Sequence, residues 1–113
     1  MGKQFLGEFE EFVLLAIFKL GKEAYGVPIA EAIEDATGKR VSTGALYTTL
    51  SRLEEKNFIS SWMGESTAER GGRAKKYFSL EAAGKDALEQ SNRGRQRLGA
   101  EPMFGLGLVS AFQ

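Results

Sequence analysis

The stretch STGALYTTLSRLEEK, residues 42–56, decides how the rest of the chain is interpreted. Leu46, Leu50 and Leu53 recur at helical spacing and predict one buried stripe along an amphipathic helix. Ser42 is a favourable N-cap residue, because its hydroxyl can accept a hydrogen bond from an amide of the first turn. The opposite face is mostly small or polar, so this helix could lie close against another surface. Its residues are Gly44, Tyr47, Thr48, Ser51, Arg52 and Glu55.

Two further helices are predicted before this stretch. Residues 8–20 carry apolar side chains at i, i+3 and i+4 spacing, and residues 25–37 show a similar stripe. The first of these helices has a second apolar patch, Leu14, Leu15 and Phe18, on its other side. A helix that is apolar on two sides must be covered on two sides, so the last helix or a partner chain is expected there.

The periodicity changes after the third helix. Residues 58–64 and 73–80 are predicted strands, and the polar residues 65–72 between them, which end in two glycines, predict a loop. Residues 81–98 return to a helical pattern. The apolar, Gly-rich residues 99–113 fit no regular element and are expected to form a mobile tail.

This order of elements is that of a winged helix-turn-helix, a mainly α protein with a small β-hairpin (α+β). In that architecture the third helix enters the major groove of DNA, which is wide enough to admit it, and the hairpin forms a wing beside it. The sequence therefore predicts a DNA-binding domain over residues 1–80, a C-terminal dimerisation helix over 81–98 and the tail over 99–113. A winged-helix module that binds proteins, without specific DNA binding, is the alternative.

The charge of the chain is distributed unevenly. The 15 basic and 15 acidic residues cancel overall, yet residues 39–78 hold eight basic and four acidic side chains. Arg70, Arg73, Lys75 and Lys76 all belong to the predicted wing. A local basic patch attracts phosphate groups. Charged side chains also protect the exposed edge of a hairpin, and that simpler interpretation fits the two lysines better than the two arginines.

The absent residue types exclude several classes of function. The chain has no cysteine and no histidine, so disulfides, the usual zinc sites and Cys/His or Ser/His nucleophiles are excluded. No Gly-rich phosphate loop is visible, so we expect no enzyme activity, no cofactor and no bound metal. Neither a signal peptide nor an apolar stretch of membrane-spanning length is found, which favours a cytoplasmic protein that does not enter the membrane.

Residues 8–98 resemble the PadR family of bacterial transcriptional regulators, and the short last helix is similar to that of its small subfamily. The resemblance is carried by an ordered set of motifs rather than by any one of them. These are Tyr25-Gly26 with Ile29 in the second helix, Thr43-Gly44-Ala45-Leu46-Tyr47 with Leu50 and Arg52-Leu53-Glu54 in the third, Gly72-Arg73-Ala74-Lys75-Lys76-Tyr77-Phe78-Ser79-Leu80 in the wing, and Gly84 in the last helix.

The resemblance implies a homodimer that reads a two-fold related operator in double-stranded DNA, usually as a repressor. It also implies that the first and last helices build the dimer, and that a small aromatic or hydrophobic effector can bind near the interface. The expected DNA-binding residues are Tyr25, Lys39, Arg40, Ser42, Thr43, Gly44, Tyr47, Thr48, Ser51, Arg52, Arg70, Arg73, Lys75 and Lys76. The expected dimer-interface residues are Phe5, Leu14, Leu15, Phe18, Ala87, Leu88, Ser91 and Leu98.

Aromatic side chains could line such an effector pocket between two chains. The candidates are Trp62 together with Phe5, Phe9, Phe12 and Phe18. Packing in the core and in the dimer interface is the simpler interpretation of the same cluster, and it is the one that we favour, because large aromatic side chains are most often buried for packing alone.

Overall fold

The computed structural model describes residues 6–65 and 74–99. Within these residues the chain folds into four α-helices and a two-stranded antiparallel hairpin. The elements are α1 (Glu8–Leu20), α2 (Gly26–Thr37), α3 (Thr43–Glu55), β1 (Ile59–Met63), β2 (Lys76–Leu80) and α4 (Ala82–Arg97). This order confirms the predicted winged helix-turn-helix and its α+β class. Of the loop predicted over 65–72 and the tail predicted over 99–113, only the first residue of each lies within the described residues.

All four helices begin and end within one residue of the positions predicted from the sequence, because local signals determine their ends. The Ser42 hydroxyl accepts a hydrogen bond from the Ala45 amide at 3.1 Å, which caps the start of α3. Gly38 follows α2 and Asn57 follows α3, with φ angles of 74° and 63°. These left-handed conformations turn the chain away from the helix axis, and for that reason the two helices end there.

The apolar core lies where α1, α2, α3 and the hairpin meet. Its buried side chains are Val13, Leu14, Ala16, Ile17, Ala24, Ile29, Ile33, Leu46, Leu50, Leu53, Ile59 and Phe78. β2 and α4 contact α1 in addition to α2 and α3, so α1 is covered over a wide arc. Leu14 is wholly buried within the chain as a result, and the prediction that it faces a partner chain is wrong. Leu15 and Phe18 remain exposed.

The hairpin is joined to the start of α2 as well as to the core. Its facing pairs are Ile59–Leu80, Ser60–Ser79, Ser61–Phe78, Trp62–Tyr77 and Met63–Lys76. The Phe78 amide donates a hydrogen bond to the Ala24 carbonyl at 2.8 Å, and Tyr25 forms an isolated bridge with Tyr77. An isolated two-stranded hairpin is only marginally stable, so these bonds and the burial of the Phe78 ring hold it against the helices.

α4 is fixed at its start by a glycine and near its end by a buried carboxylate. A Cβ atom on Gly84 would lie 2.3 Å from the Phe58 carbonyl oxygen, so this close approach requires glycine. Glu11 of α1 is 7% exposed and accepts hydrogen bonds from the Ser91 hydroxyl, at 2.6 Å, and from the Arg95 guanidinium. A buried carboxylate is stable only when it is paired in this way. The Ser91 hydroxyl, expected at a partner interface, is therefore bound within its own chain.

Glu10 links the start of α1 to the end of α3, and its titration gives a testable pH dependence. Its carboxylate accepts hydrogen bonds from the Gly7 amide at 2.8 Å and from the Lys56 ammonium at 3.1 Å. Burial raises the pKa of Glu10, but the Gly7 bond, the Lys56 bond and the positive charges of Lys56 and Arg52 outweigh it and lower the pKa below the ordinary value of a glutamate, 4.5.

Because the folded pKa of Glu10 lies below the unfolded one, its contribution to stability is present above about pH 4.5 and is lost as the pH falls through the folded pKa. Glu10→Gln should lower the free energy of unfolding at pH 7 by up to about 1 kcal/mol, the range of a partly exposed ion pair. Urea unfolding from pH 7 to pH 3 should show this loss shrinking, with the exposed Glu8→Gln as control. A loss that stays constant with pH would contradict the assignment.

Candidate DNA-binding surface

The face of α3 that is turned away from the core is open. Leu46, Thr49, Leu50 and Leu53 are buried, which leaves the other sides of the helix for solvent. The exposed positions include Ser42, Thr43, Gly44, Tyr47, Thr48, Ser51 and Arg52. A Cβ atom added to Gly44 would meet no described atom within 4 Å. The structure therefore places these predicted site residues together on one strip of small and polar side chains, which no other described part of the chain covers.

Tyr47 connects this strip to the start of α2. A Cβ atom on Gly26 would lie 2.2 Å from the Tyr47 hydroxyl oxygen and 3.0 Å from the adjacent ring carbon. The tyrosine hydroxyl can lie over the first residue of α2 only because that residue is glycine. This contact fixes the position of α3 relative to the N-terminus of α2 and leaves 42% of Tyr47 exposed beside the strip.

The turn between α2 and α3 presents two cations. Lys39 and Arg40 are exposed, and the turn that carries them is held by side-chain bonds. The Val41 amide donates to a Glu34 carboxylate oxygen at 2.7 Å, and the Lys39 amide donates to the Thr37 hydroxyl at 3.2 Å. A rigid turn keeps both charges close to the N-terminal end of α3, where backbone amides also favour anions.

Lys75 of the wing is engaged by the aromatic side chains of its own chain. Its ammonium nitrogen lies 3.2 Å from the Tyr25 hydroxyl and 4.3 Å from the centroid of the Tyr25 ring. Tyr25 in turn meets Tyr77 edge to face at 5.3 Å, and Tyr77 stacks on Trp62 at 5.7 Å. Sequence reasoning assigned Tyr25 and Lys75 separately to DNA binding, whereas the structure brings them into contact with each other. The Tyr25 side chain carries no negative charge, so it does not offset the positive charge of Lys75.

Lys76 is engaged by a carboxylate that sequence reasoning did not assign to the site. Its ammonium nitrogen lies 3.7 Å from one carboxylate oxygen of Glu54, and the other oxygen accepts a 2.6 Å hydrogen bond from the Ser61 hydroxyl. Glu54 appeared in the sequence as part of the motif Arg52-Leu53-Glu54. The motif does not indicate which wing residue lies opposite Glu54, because that contact forms only when the hairpin packs against α3.

The remaining cations of the predicted surface fall into two groups. Arg70 and Arg73 lie outside the described residues. Lys39, Arg40 and Arg52 are exposed, and no salt bridge joins them to another side chain within residues 6–65 and 74–99. Among the described cations of the predicted surface, these three are therefore the most readily available to an anionic partner.

The described part of the chain shows neither a metal site nor a membrane-spanning helix. Its carboxylates form no group that could hold a metal ion. None of its helices combines the length and the apolar character that crossing a membrane requires.

Comparison with known proteins decides the family. The sequence profile of the PadR-like family of transcriptional regulators matches residues 14–90, more than half of the chain. The chain belongs to this family. The family is one of transcription regulators, which are generally not enzymes, and the fold agrees with that membership.

Solved structures of other regulators share the fold of this PadR-like regulator. A PadR family transcription regulator from Clostridium difficile is 26% identical, with 88% of this chain and 98% of that chain covered and a TM-score of 0.68. A PadR-like transcription factor from Bacteroides fragilis is 28% identical, with 80% and 82% covered and a TM-score of 0.69. A Streptococcus transcriptional regulator is 26% identical, with 88% and 91% covered and a TM-score of 0.65. A comparison with curated proteins finds no match.

The residues expected at a dimer interface separate into several environments in this PadR-like regulator. Leu15, Phe18 and Leu98 are 49%, 64% and 90% exposed, which is unusual for large apolar side chains. Ala87 and Leu88 are half-buried, and Leu88 packs against the core of its own chain. Phe5 lies outside the described residues. With Leu14 in the core and Ser91 bound to Glu11, fewer of the predicted interface residues are available to a partner chain than the sequence indicated.

The aromatic residues expected to line one effector pocket are divided between two recesses. Phe9 and Phe12 border a recess of about 460 Å³ between α1 and the end of α2. Phe18 and Trp62 border another, of about 310 Å³, between the end of α1 and the hairpin. Phe9 and Phe12 lie on one side of α1, Phe18 lies on another, and Trp62 belongs to β1. A single chain therefore does not bring these four side chains together in one of the two recesses.

Proposed function

We propose that this PadR-like regulator is a sequence-specific DNA-binding repressor of the cytoplasm, which reads a two-fold related operator as a homodimer. The observation that carries this proposal is the uncovered strip of small and polar residues on α3. A helix with such a face fits into the major groove, where base edges offer a distinct pattern of donors and acceptors at each base pair.

The side chains on and beside the strip have different tasks in this proposal. Thr48 and Ser51, at its centre, allow close approach and can hydrogen-bond base edges. Tyr47 and Arg52 flank the centre and reach bases or phosphates, and an arginine can bind the guanine edge with two hydrogen bonds. Lys39 and Arg40 meet the phosphate backbone at the N-terminal end of α3. Phosphate contacts of this kind set the register of the protein on the duplex without carrying sequence information.

The wing contributes backbone contacts in this proposal. Lys75, which retains its net charge beside Tyr25, is the described wing residue best suited to a phosphate. Arg70 and Arg73 are proposed to extend the contact beyond the described part of the hairpin. Each neutralised phosphate steepens the dependence of log affinity on log salt concentration by about 0.9 units.

Dimerisation is proposed to use α1 and α4, where Leu15, Phe18 and Leu98 are exposed. Two copies related by a two-fold axis would present two α3 helices to a pseudo-palindromic site. The recess between Phe18 and Trp62 adjoins this face, so we place a small aromatic or hydrophobic effector there. Trp62 is the only tryptophan of the chain, and its fluorescence would report such binding directly.

A gel mobility-shift titration on the region upstream of its own gene tests the proposed function. A complex is expected that survives an excess of random-sequence duplex and weakens steeply as salt is raised. If every complex disappears under random competitor, even at low salt, sequence-specific DNA binding is ruled out and a protein-binding module becomes the better account of the fold.

The proposed interface predicts the behaviour of one matched pair of variants. Phe18→Asp should convert the dimer to a monomer at micromolar concentration, because it introduces a charge into an apolar contact. Val27→Asp is the control, since Val27 is 60% exposed but lies on α2, which is not part of the proposed interface. Sedimentation equilibrium of both variants measures the effect. A Phe18→Asp protein that remains dimeric, or a wild-type protein that is monomeric, would contradict the interface.

A further inference from the structure

Glu54 lies at the point where the last turn of α3 meets both strands of the wing. One of its carboxylate oxygens accepts the 2.6 Å hydrogen bond from Ser61 on β1, and the other lies 3.7 Å from the Lys76 ammonium on β2. Ser61 faces Phe78 in the ladder, and Phe78 is two residues from Lys76. Ser61, Lys76 and the buried Phe78 ring therefore share the face of the hairpin that is turned toward α3.

The two described wing lysines differ in whether a nearby carboxylate offsets their positive charge. Lys75 points to the other face of the hairpin, where its partner is the neutral Tyr25. Lys76 is opposed by the full negative charge of Glu54. A nearby phosphate must compete with that carboxylate for Lys76, whereas Lys75 is available with its charge uncompensated.

We infer that Glu54 is a positioning residue that sets the angle of the wing against α3 and withholds Lys76 from phosphate, so that it limits sequence-independent binding to DNA. This inference rests on the proposed function. Sequence-independent affinity comes from neutralised phosphates, so one cation fewer lowers binding to all duplexes alike. The ratio of specific to unspecific affinity is left unchanged, while the absolute affinity for random-sequence DNA falls.

The geometry suits a positioning role better than a purely stabilising one. The Glu54 and Lys76 side chains are 37% and 47% exposed, and an ion pair that is so exposed to solvent contributes little to the free energy of unfolding. The hairpin is only two strands wide, however, and such a hairpin depends on contacts with the helices for its orientation. One carboxylate that binds both strands restrains their rotation relative to α3.

Two neighbouring glutamates provide a matched test. Glu54→Gln removes the charge while the amide oxygen can still accept the Ser61 bond. Glu55→Gln removes the same charge from the next residue of α3, which is exposed and has no ion pair within the described residues. Both proteins are titrated with a random-sequence duplex over a range of salt concentrations, alone and in a Lys76→Met background.

Glu54→Gln should steepen the dependence of log affinity on log salt by about one unit, and Glu55→Gln by less than half of that. In the Lys76→Met background, Glu54→Gln should no longer steepen it. Equal slopes for the two glutamine variants, or a steepening that persists without Lys76, would overturn the inference.

A measurement without DNA separates this inference from the proposed function. Amide hydrogen exchange in the hairpin of the free protein should be about two- to fivefold faster in Glu54→Ala than in wild type, and unchanged in Glu55→Ala. If wild type shows no sequence-specific complex, the proposed function fails while the exchange rates still decide whether Glu54 restrains the wing. Unchanged exchange in Glu54→Ala would overturn that restraint.

Discussion

Replacing Gly84 with alanine is expected to lower the free energy of unfolding by about 2–3 kcal/mol, the cost of forcing an extra methyl group into a packed site. The new Cβ atom would lie 2.3 Å from the Phe58 carbonyl oxygen and 3.0 Å from a methyl carbon of Leu80. The Phe58 carbonyl accepts the Glu81 amide at 2.9 Å just before α4 begins, so relieving the clash must also displace the start of the helix.

The same helix supplies the control for this substitution. Gly94 also lies in α4, and a Cβ atom there would meet nothing within 4 Å. Gly94→Ala should therefore stabilise the protein by about 0.5–1 kcal/mol, the intrinsic preference of a helix interior for alanine. Urea unfolding of both variants gives the two changes. If Gly84→Ala is as stable as Gly94→Ala, the close packing of α4 on Phe58 is not present in solution.

Thr48→Glu is expected to weaken binding to the operator by about 100-fold or more, because like-charge juxtaposition across an interface costs several kcal/mol. Thr48 is exposed near the centre of the α3 strip, so in the proposed complex its replacement would place a carboxylate against the DNA. The stability of the free protein should change by less than about 0.5 kcal/mol, as is usual for an exposed position without special contacts.

Gln90→Glu is the matched control for Thr48→Glu. It changes the net charge by the same amount at an exposed position of α4. Fluorescence anisotropy on the operator should show near wild-type affinity for Gln90→Glu and a large loss for Thr48→Glu. Equal losses would mean that overall charge rather than the α3 surface controls binding, and no loss in either variant would place the DNA elsewhere.

Sequence reasoning reached the helices because their signals are local. The N-cap at Ser42 and the left-handed residues Gly38 and Asn57 depend on neighbours only a few positions away. The exposed strip of α3 could be predicted equally well, because the stripe of buried leucines marks one face of the helix and leaves the opposite face exposed.

Residues that meet across the fold could not be predicted in the same way. Tyr25 and Lys75 are fifty positions apart and meet only when the hairpin packs on the start of α2. The apolar patch on α1 was visible in the sequence, but whether Leu14 would be covered by its own chain or by a partner depended on where β2 and α4 pack. Glu54 was read as part of a motif, and its contacts with both strands depend on the same packing.

The most direct test of the central claim uses the absence of cysteine in this chain, which makes any introduced cysteine a unique attachment point. Ala45→Cys on α3 and Glu89→Cys on α4, both at exposed positions, would each be labelled with a DNA-cleaving iron chelate and bound to the operator. We predict that the α3 label cuts at two clusters of positions about one helical turn apart, and that the α4 label cuts little above background. Cleavage from the α4 label alone, or a stable complex left uncut by the α3 label, would contradict the account.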